Sequence, residues 1–145
     1  MTLRLAALAA LLILASPSAH AFDLQGHRGA RGLAPENTLP AFETALKIGV
    51  STLELDLALT RDGVIVVSHD SHLNPDHTRG PDRAFLKGKG PAIRSLTLAE
   101  LKRYDVGRLK PGTGYGTSLP EQRAVDGATI PSLAEVFDLV RRAGA

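Results

Sequence analysis

The chain has no cysteine and no tryptophan, and aromatic residues make up only 4% of its 145 positions. Without cysteine no disulfide staples the fold and no thiolate is available as metal ligand or nucleophile, so stability has to come from packing or from a bound ligand. Basic and acidic side chains are close to balance, 17 against 15. With no Lys/Arg run and no basic stripe interleaved with aromatics, that balance argues against nucleic acid or an anionic membrane surface as a partner. The uninterrupted apolar run from Leu5 to Ala15 is too short to span a bilayer.

What is present begins with a leader. Arg4 supplies a positive start, Leu5 to Ala15 an apolar stretch, and Ala19-His20-Ala21 a small-residue cleavage pattern. The reading is a signal peptide over 1–21, cleaved after Ala21, with export to a bacterial periplasm and no stable membrane anchor after cleavage. Residues 22–145 then form one modest domain, with no internal repeat, no linker and no signature of oligomeric state.

Phe22 to His27 reads as a first strand ending in a glycine-rich turn. Asn37 or Thr38 caps a helix that tolerates Pro40 in its first turn, buries Leu39, Phe42, Ala45 and Leu46, and ends at Gly49. Thr52 to Thr60 alternates as a strand, Asp62-Gly63 marks a turn, and Val64-Ile65-Val66-Val67 returns. Residues 74–92 and 110–127 carry loop punctuation. Two capping boxes, Thr97 with Glu100 and Ser132 with Glu135, open helices. The second places Leu133, Val136, Phe137 and Val140 on one face, which is expected to find little to pack on. The order of elements predicts an α/β barrel or open sheet.

The chemistry concentrates near the strand ends. Glu54 and Asp56, two apart on a strand, project together, while Leu53, Leu55 and Leu57 face the other way. Two such carboxylates repel, and a hard divalent cation, Ca²⁺ or Mg²⁺, relieves that repulsion with oxygen ligands. If Asp62 and Gly63 are the two residues of a tight hairpin turn, Asp56 opposes His69, with Cβ atoms ~5 Å apart. His27 stands at the end of the first strand, where ligands of α/β folds bind, and Arg28 beside it offers a planar fork for phosphate oxygens. Together these residues suit a two-histidine phosphodiesterase, one imidazole taking a proton and the other giving one.

Other features carry less. His72 and His77 are expected to be exposed. Gly112 to Gly116 is like a phosphate loop only in glycine content, and is read as a flexible turn with no helix after it. Asp70 to Asp76 lacks the spacing of a calcium-binding EF-hand loop. There is no Gly-x-Ser-x-Gly elbow for a serine hydrolase.

The segments His27-Arg28-Gly29, Ala34-Pro35-Glu36-Asn37-Thr38, Glu54-Leu55-Asp56, Thr60-Arg61-Asp62-Gly63 and Val66-Val67-Ser68-His69-Asp70 resemble, in order and spacing, the glycerophosphodiester phosphodiesterases. Later segments, including Tyr104-Asp105-Val106-Gly107 and Ile130-Pro131-Ser132-Leu133, are similar to the exported bacterial branch. The resemblance implies a TIM-barrel fold and hydrolysis of a small-molecule glycerophosphodiester to sn-glycerol 3-phosphate and an alcohol. It further implies His27 as general base, His69 as general acid, Glu54 and Asp56 as metal ligands, Arg28 as phosphate contact, and a divalent metal that in exported members is typically Ca²⁺.

The family's third ligand, a glutamate, lies on a strand after the Ile-Pro-Ser-Leu helix, and a complete barrel takes about 250 residues. The expectation is therefore a TIM-barrel phosphodiesterase fold truncated to roughly its first half, with exposed apolar faces and impaired turnover. Two alternatives stand beside it: a phosphoinositide- or sphingomyelin-type barrel phosphodiesterase, and a non-catalytic half-barrel that binds metal or phosphate.

Overall fold

The computed structural model describes residues 23–145. The leader and Phe22 lie outside the described residues. Strand β1 (Gln25–Gly26), helix α1 (Leu39–Ile48) and strand β2 (Thr52–Leu53) form a β-α-β unit, with β1 and β2 parallel. Strands β3 (Leu57–Leu59) and β4 (Ile65–Val67) make an antiparallel hairpin. A 3₁₀ turn (Ile93–Ser95) and the helices α2 (Leu98–Leu101), α3 (Gly114–Ser118) and α4 (Leu133–Ala143) follow. Among the described residues no helix is long and apolar enough to cross a membrane.

Local chemistry sets most boundaries. The Thr38 hydroxyl accepts from the Ala41 amide at the start of α1, Pro40 lies in its first turn, and Gly49 closes it in the left-handed conformation. Both capping boxes form, Thr97 with Glu100 and Ser132 with Glu135, and Gly144 closes α4 as Gly49 closes α1.

The extended run predicted over Thr52 to Thr60 is broken. Residues Glu54–Asp56 separate β2 from β3. Leu53 and Leu55 pack with Phe42, Val67 and Val136, but Leu57 is 54% exposed and does not share their environment.

The hairpin register differs by one residue from the sequence-based pairing. Leu57 pairs with Val67, Ala58 with Val66 and Leu59 with Ile65, so Asp56 stands opposite Ser68, whose amide donates to the Asp56 carbonyl at 3.0 Å. The turn has three residues, Arg61-Asp62-Gly63. Gly63 takes φ +80° while its amide donates to the Thr60 carbonyl, the pattern of a type I turn closed by a left-handed glycine. The Thr60 hydroxyl accepts from the Val64 amide at 2.9 Å and fixes the longer loop.

Successive residues of β4 serve two cores, as alternation along a strand requires. Val66 joins Leu73, Ile93, Leu101, Val106 and Ile130, whereas Val67 packs with Phe42 and Val136. Helix α4 is well supported, contrary to expectation. It lies against α1, and the Val67 amide donates to the Pro131 carbonyl at 2.9 Å. Its buried side is made by Val136 with Leu139, while Phe137 turns outward at 56% exposure. The helix meets its partner with a narrower stripe than four apolar positions suggest.

Candidate active site

The carboxyl ends of β1 and β2 lie side by side, and the residues that follow them meet there. Arg28 is the hub. Its amide donates to Glu54 Oε2 at 2.8 Å, its Nη1 donates to Glu36 Oε1 at 3.0 Å, and its Nε lies 3.3 Å from Asp56 Oδ2. The Nε contact lacks hydrogen-bond geometry and acts as a Coulombic pair. Burial works against the Arg28 charge, but Glu36, with Tyr115 and Asp56 beyond it, more than offsets that and raises its pKa.

The backbone of Arg28 is in the left-handed region at φ 51°, which is costly for a residue with a long side chain. Hydrogen bonds on both sides hold it there. Besides the Glu54 contact, the Asn37 amide donates to the Arg28 carbonyl at 3.0 Å. Gly29 follows at φ +79°, where a Cβ would lie 2.7 Å from the Ala41 carbonyl carbon. Only glycine allows the turn to pass so close to α1.

His27 is on the solvent side, its Nε2 3.9 Å from Glu54 Oε2. His69 is also accessible, and its Nδ1 is 2.9 Å from Asp70 Oδ1. An ionised carboxylate only accepts, so this contact assigns the proton to Nδ1. Asp70 is fixed in turn by Asn74 Nδ2 at 2.7 Å. Burial raises the Asp70 pKa, but the hydrogen bonds from Asn74 and His69 outweigh it, and the net shift is downward.

The structure thus brings Arg28, Glu54 and Asp56 into direct contact and sets His27 beside them. His69 does not reach the group through cross-strand pairing with Asp56, because the register is shifted. It is connected through a small cleft of about 20 Å³ that it lines together with Glu36, Asn37, Asp70 and His77. Asn37, at φ 53°, bridges the two parts by donating from Nδ2 to Asp56 Oδ2 at 3.1 Å.

Four contributors went unassigned in the sequence reading. Glu36, Asn37 and Asp70 lie inside segments that carried the family resemblance, so a signal for them existed. Tyr115 had none. It stands on α3, a helix where a flexible turn was predicted, and its phenol donates to Glu36. Thr113 caps that helix by accepting from the Gly116 amide. His77, expected to be exposed, is half-buried with its ring centroid 5.7 Å from that of Tyr115.

For a metal, the donor chemistry suits a hard divalent ion. Glu54 and Asp56 offer carboxylate oxygens from one short segment between β2 and β3, each using one oxygen within the Arg28 network. No hydrogen bond among the described residues engages Glu54 Oε1 or Asp56 Oδ1. Among those residues no group of three or more His, Cys, Asp or Glu side chains is placed to hold a metal ion. The pair therefore fits part of a coordination shell.

His27, Arg28, Glu54 and Asp56 gather just beyond the carboxyl ends of two parallel strands, where α/β barrel folds place their sites. The profile of the Glycerophosphoryl diester phosphodiesterase family matches residues 27–145, and the chain belongs to that family. A Silicibacter pomeroyi protein of this type, known by crystal structure, is 42% identical with a TM-score of 0.81, over 84% of this chain and 41% of that one. An Oleispira antarctica phosphodiesterase in complex with its product sn-glycerol-3-phosphate is 32% identical with a TM-score of 0.59, over 85% of this chain and 41% of that one. The glycerophosphodiester phosphodiesterase of Bacillus subtilis is 36% identical over 114 residues, which are 77% of this chain and 34% of the relative. The architecture is that of part of the TIM-barrel phosphodiesterase fold, and the chain spans about a third to two fifths of the length of these relatives.

Proposed function

We propose that this chain carries the histidine, arginine and carboxylate part of an exported, metal-dependent glycerophosphodiester phosphodiesterase that releases sn-glycerol 3-phosphate and an alcohol. The observation that supports it most is Arg28 held between Glu36 and Asp56 with its amide on Glu54, beside the solvent-facing His27. Arg28 Nη2 makes no hydrogen bond among the described residues and presents an edge to a phosphate oxygen.

His27 takes the proton from the attacking hydroxyl or water, and Glu54 near its Nε2 stabilises the imidazolium that results. His69, positively charged with Nδ1–H bound to Asp70, gives its Nε2 proton to the leaving alcohol oxygen. A divalent ion held by Glu54 and Asp56, Ca²⁺ before Mg²⁺ in an exported protein, supplies charge neutralisation for the phosphoryl oxygens.

The test is release of sn-glycerol 3-phosphate from glycerophosphocholine, with and without a chelator and with calcium added back. Phosphoinositide and sphingomyelin substrates run alongside. Turnover of the glycerol-containing substrate that chelation abolishes supports the proposal. Turnover confined to the other two, or insensitive to chelation, contradicts it. A second reading, binding without turnover, draws on the absence of a third clustered ligand among the described residues. It predicts calcium and sn-glycerol 3-phosphate binding with no product.

A further inference from the structure

Glu36 takes no part in the proton transfers above, yet it is the most heavily engaged carboxylate near them. It is 9% exposed. Two donors and a second cation converge on it: Arg28 Nη1 donates at 3.0 Å, the Tyr115 phenol donates, and Arg31 Nε lies 3.4 Å away as a Coulombic partner without hydrogen-bond geometry. The two guanidiniums balance its charge, and the phenol adds a neutral third contact that fixes its second oxygen.

Tyr115 arrives from 79 residues away on α3, a five-residue helix with two glycines and little intrinsic propensity. Tertiary contacts hold it. Arg31 Nη2 donates to the Tyr115 oxygen at 3.2 Å, and the Arg31 guanidinium lies 5.6 Å from the ring centroid. The same stretch of chain is tied to the loop after β1 at two more points. Gln122 Nε2 donates to the Arg31 carbonyl at 2.7 Å, and the Arg123 amide to the Leu33 carbonyl at 2.9 Å. Residues 113–123 form a strap laid over the loop that carries both arginines.

We propose that Tyr115 is a positioning residue for Arg28: through Glu36 it sets the guanidinium edge presented to the phosphate and so couples the strap to the phosphodiester site. The inference rests on Arg28 as the phosphate contact. Burial and the adjacent Glu36 carboxylate raise the phenol pKa, which keeps Tyr115 a donor into the alkaline range.

The experiment measures binding of sn-glycerol 3-phosphate by calorimetry and the Arg28 Nε–H resonance by NMR, in the wild type and in Tyr115→Phe, Glu36→Gln and Arg28→Ala. Phenylalanine keeps the ring against Arg31 and His77 and removes the hydroxyl, which donates to Glu36 and accepts from Arg31 Nη2. Tyr115→Phe is expected to weaken binding about fivefold, the scale of one lost hydrogen bond. It should also shift the Arg28 resonance while the melting temperature holds. Glu36→Gln is expected to move both readouts in the same direction. Loss of binding in Arg28→Ala with no change of affinity or resonance in Tyr115→Phe overturns the inference alone. A lowered melting temperature with an unmoved Arg28 resonance also overturns it, assigning Tyr115 a merely structural role. Undiminished binding in Arg28→Ala overturns both the inference and the phosphate role it rests on.

Discussion

Arg28 and Glu36, eight residues apart on one loop, form the most enclosed ion pair of the site, with side chains 12% and 7% exposed. Their contact fixes the guanidinium that also lies 3.3 Å from Asp56, while the Arg28 amide holds Glu54. Removing either partner strands a charge of the other in a poorly solvated position. Arg28→Ala is therefore expected to destabilise the fold by about 3 kcal/mol, read as a shift of the urea midpoint. Arg28→Lys keeps the charge but not the fork, and should lose less stability while still weakening phosphate binding.

The three-residue turn makes a separate prediction. Nothing lies within 4 Å of a Cβ placed on Gly63, so Gly63→Ala meets no steric obstacle and pays only for φ +80°. A loss of about 1 kcal/mol in urea unfolding is expected. An unchanged midpoint would mean that the hairpin uses a different turn.

His77 gives the fold a pH dependence. Burial is the leading cause of its lowered pKa, only partly opposed by Glu36 and Asp70. The unfolded chain therefore binds a proton more readily than the folded one, and stability falls as pH drops below the ordinary histidine value of about 6.5. Thermal melts between pH 8 and pH 5 should show this decline. His77→Asn should flatten that part of the profile, and a wild-type curve level across the window would contradict the assignment.

Asp70 holds His69 in one tautomer. Asp70→Asn keeps the shape but no longer favours the imidazolium, and turnover of glycerophosphocholine is expected to fall about a hundredfold. The nitrogen shifts of the His69 ring should change in the same variant. Full turnover with unaltered ring shifts would remove Asp70 from the account.

Much of the fold was legible because its signals are local. Thr38, Thr97 and Ser132 start helices where their hydroxyls meet the third amide onward, and Gly49 and Gly144 stop them. The hairpin was legible but its register was not. Asp62-Gly63 is compatible with two turn lengths, and the choice is made by the Thr60 hydroxyl on the Val64 amide. Helix α3 was hidden for a different reason. Two glycines lower its propensity, and the contacts that sustain it come from Arg31 and Glu36, far away in sequence. At the site, Arg28, Glu54 and Asp56 meet, although the strand expected to carry both carboxylates is broken at Glu54–Asp56. The link from Asp56 toward His69 runs through Asn37, a bridge that strand periodicity does not encode.

In the proposed reaction His27 and His69 move the protons of glycerophosphodiester hydrolysis. The most direct measurement is the rate of sn-glycerol 3-phosphate formation from glycerophosphocholine by the wild type and by the His27→Ala/His69→Ala double variant, with calcium present. Turnover is expected in the wild type, and a loss of at least about a thousandfold in the double variant, with folding intact because both histidines are solvent-accessible. Equal rates in the two proteins would contradict these roles.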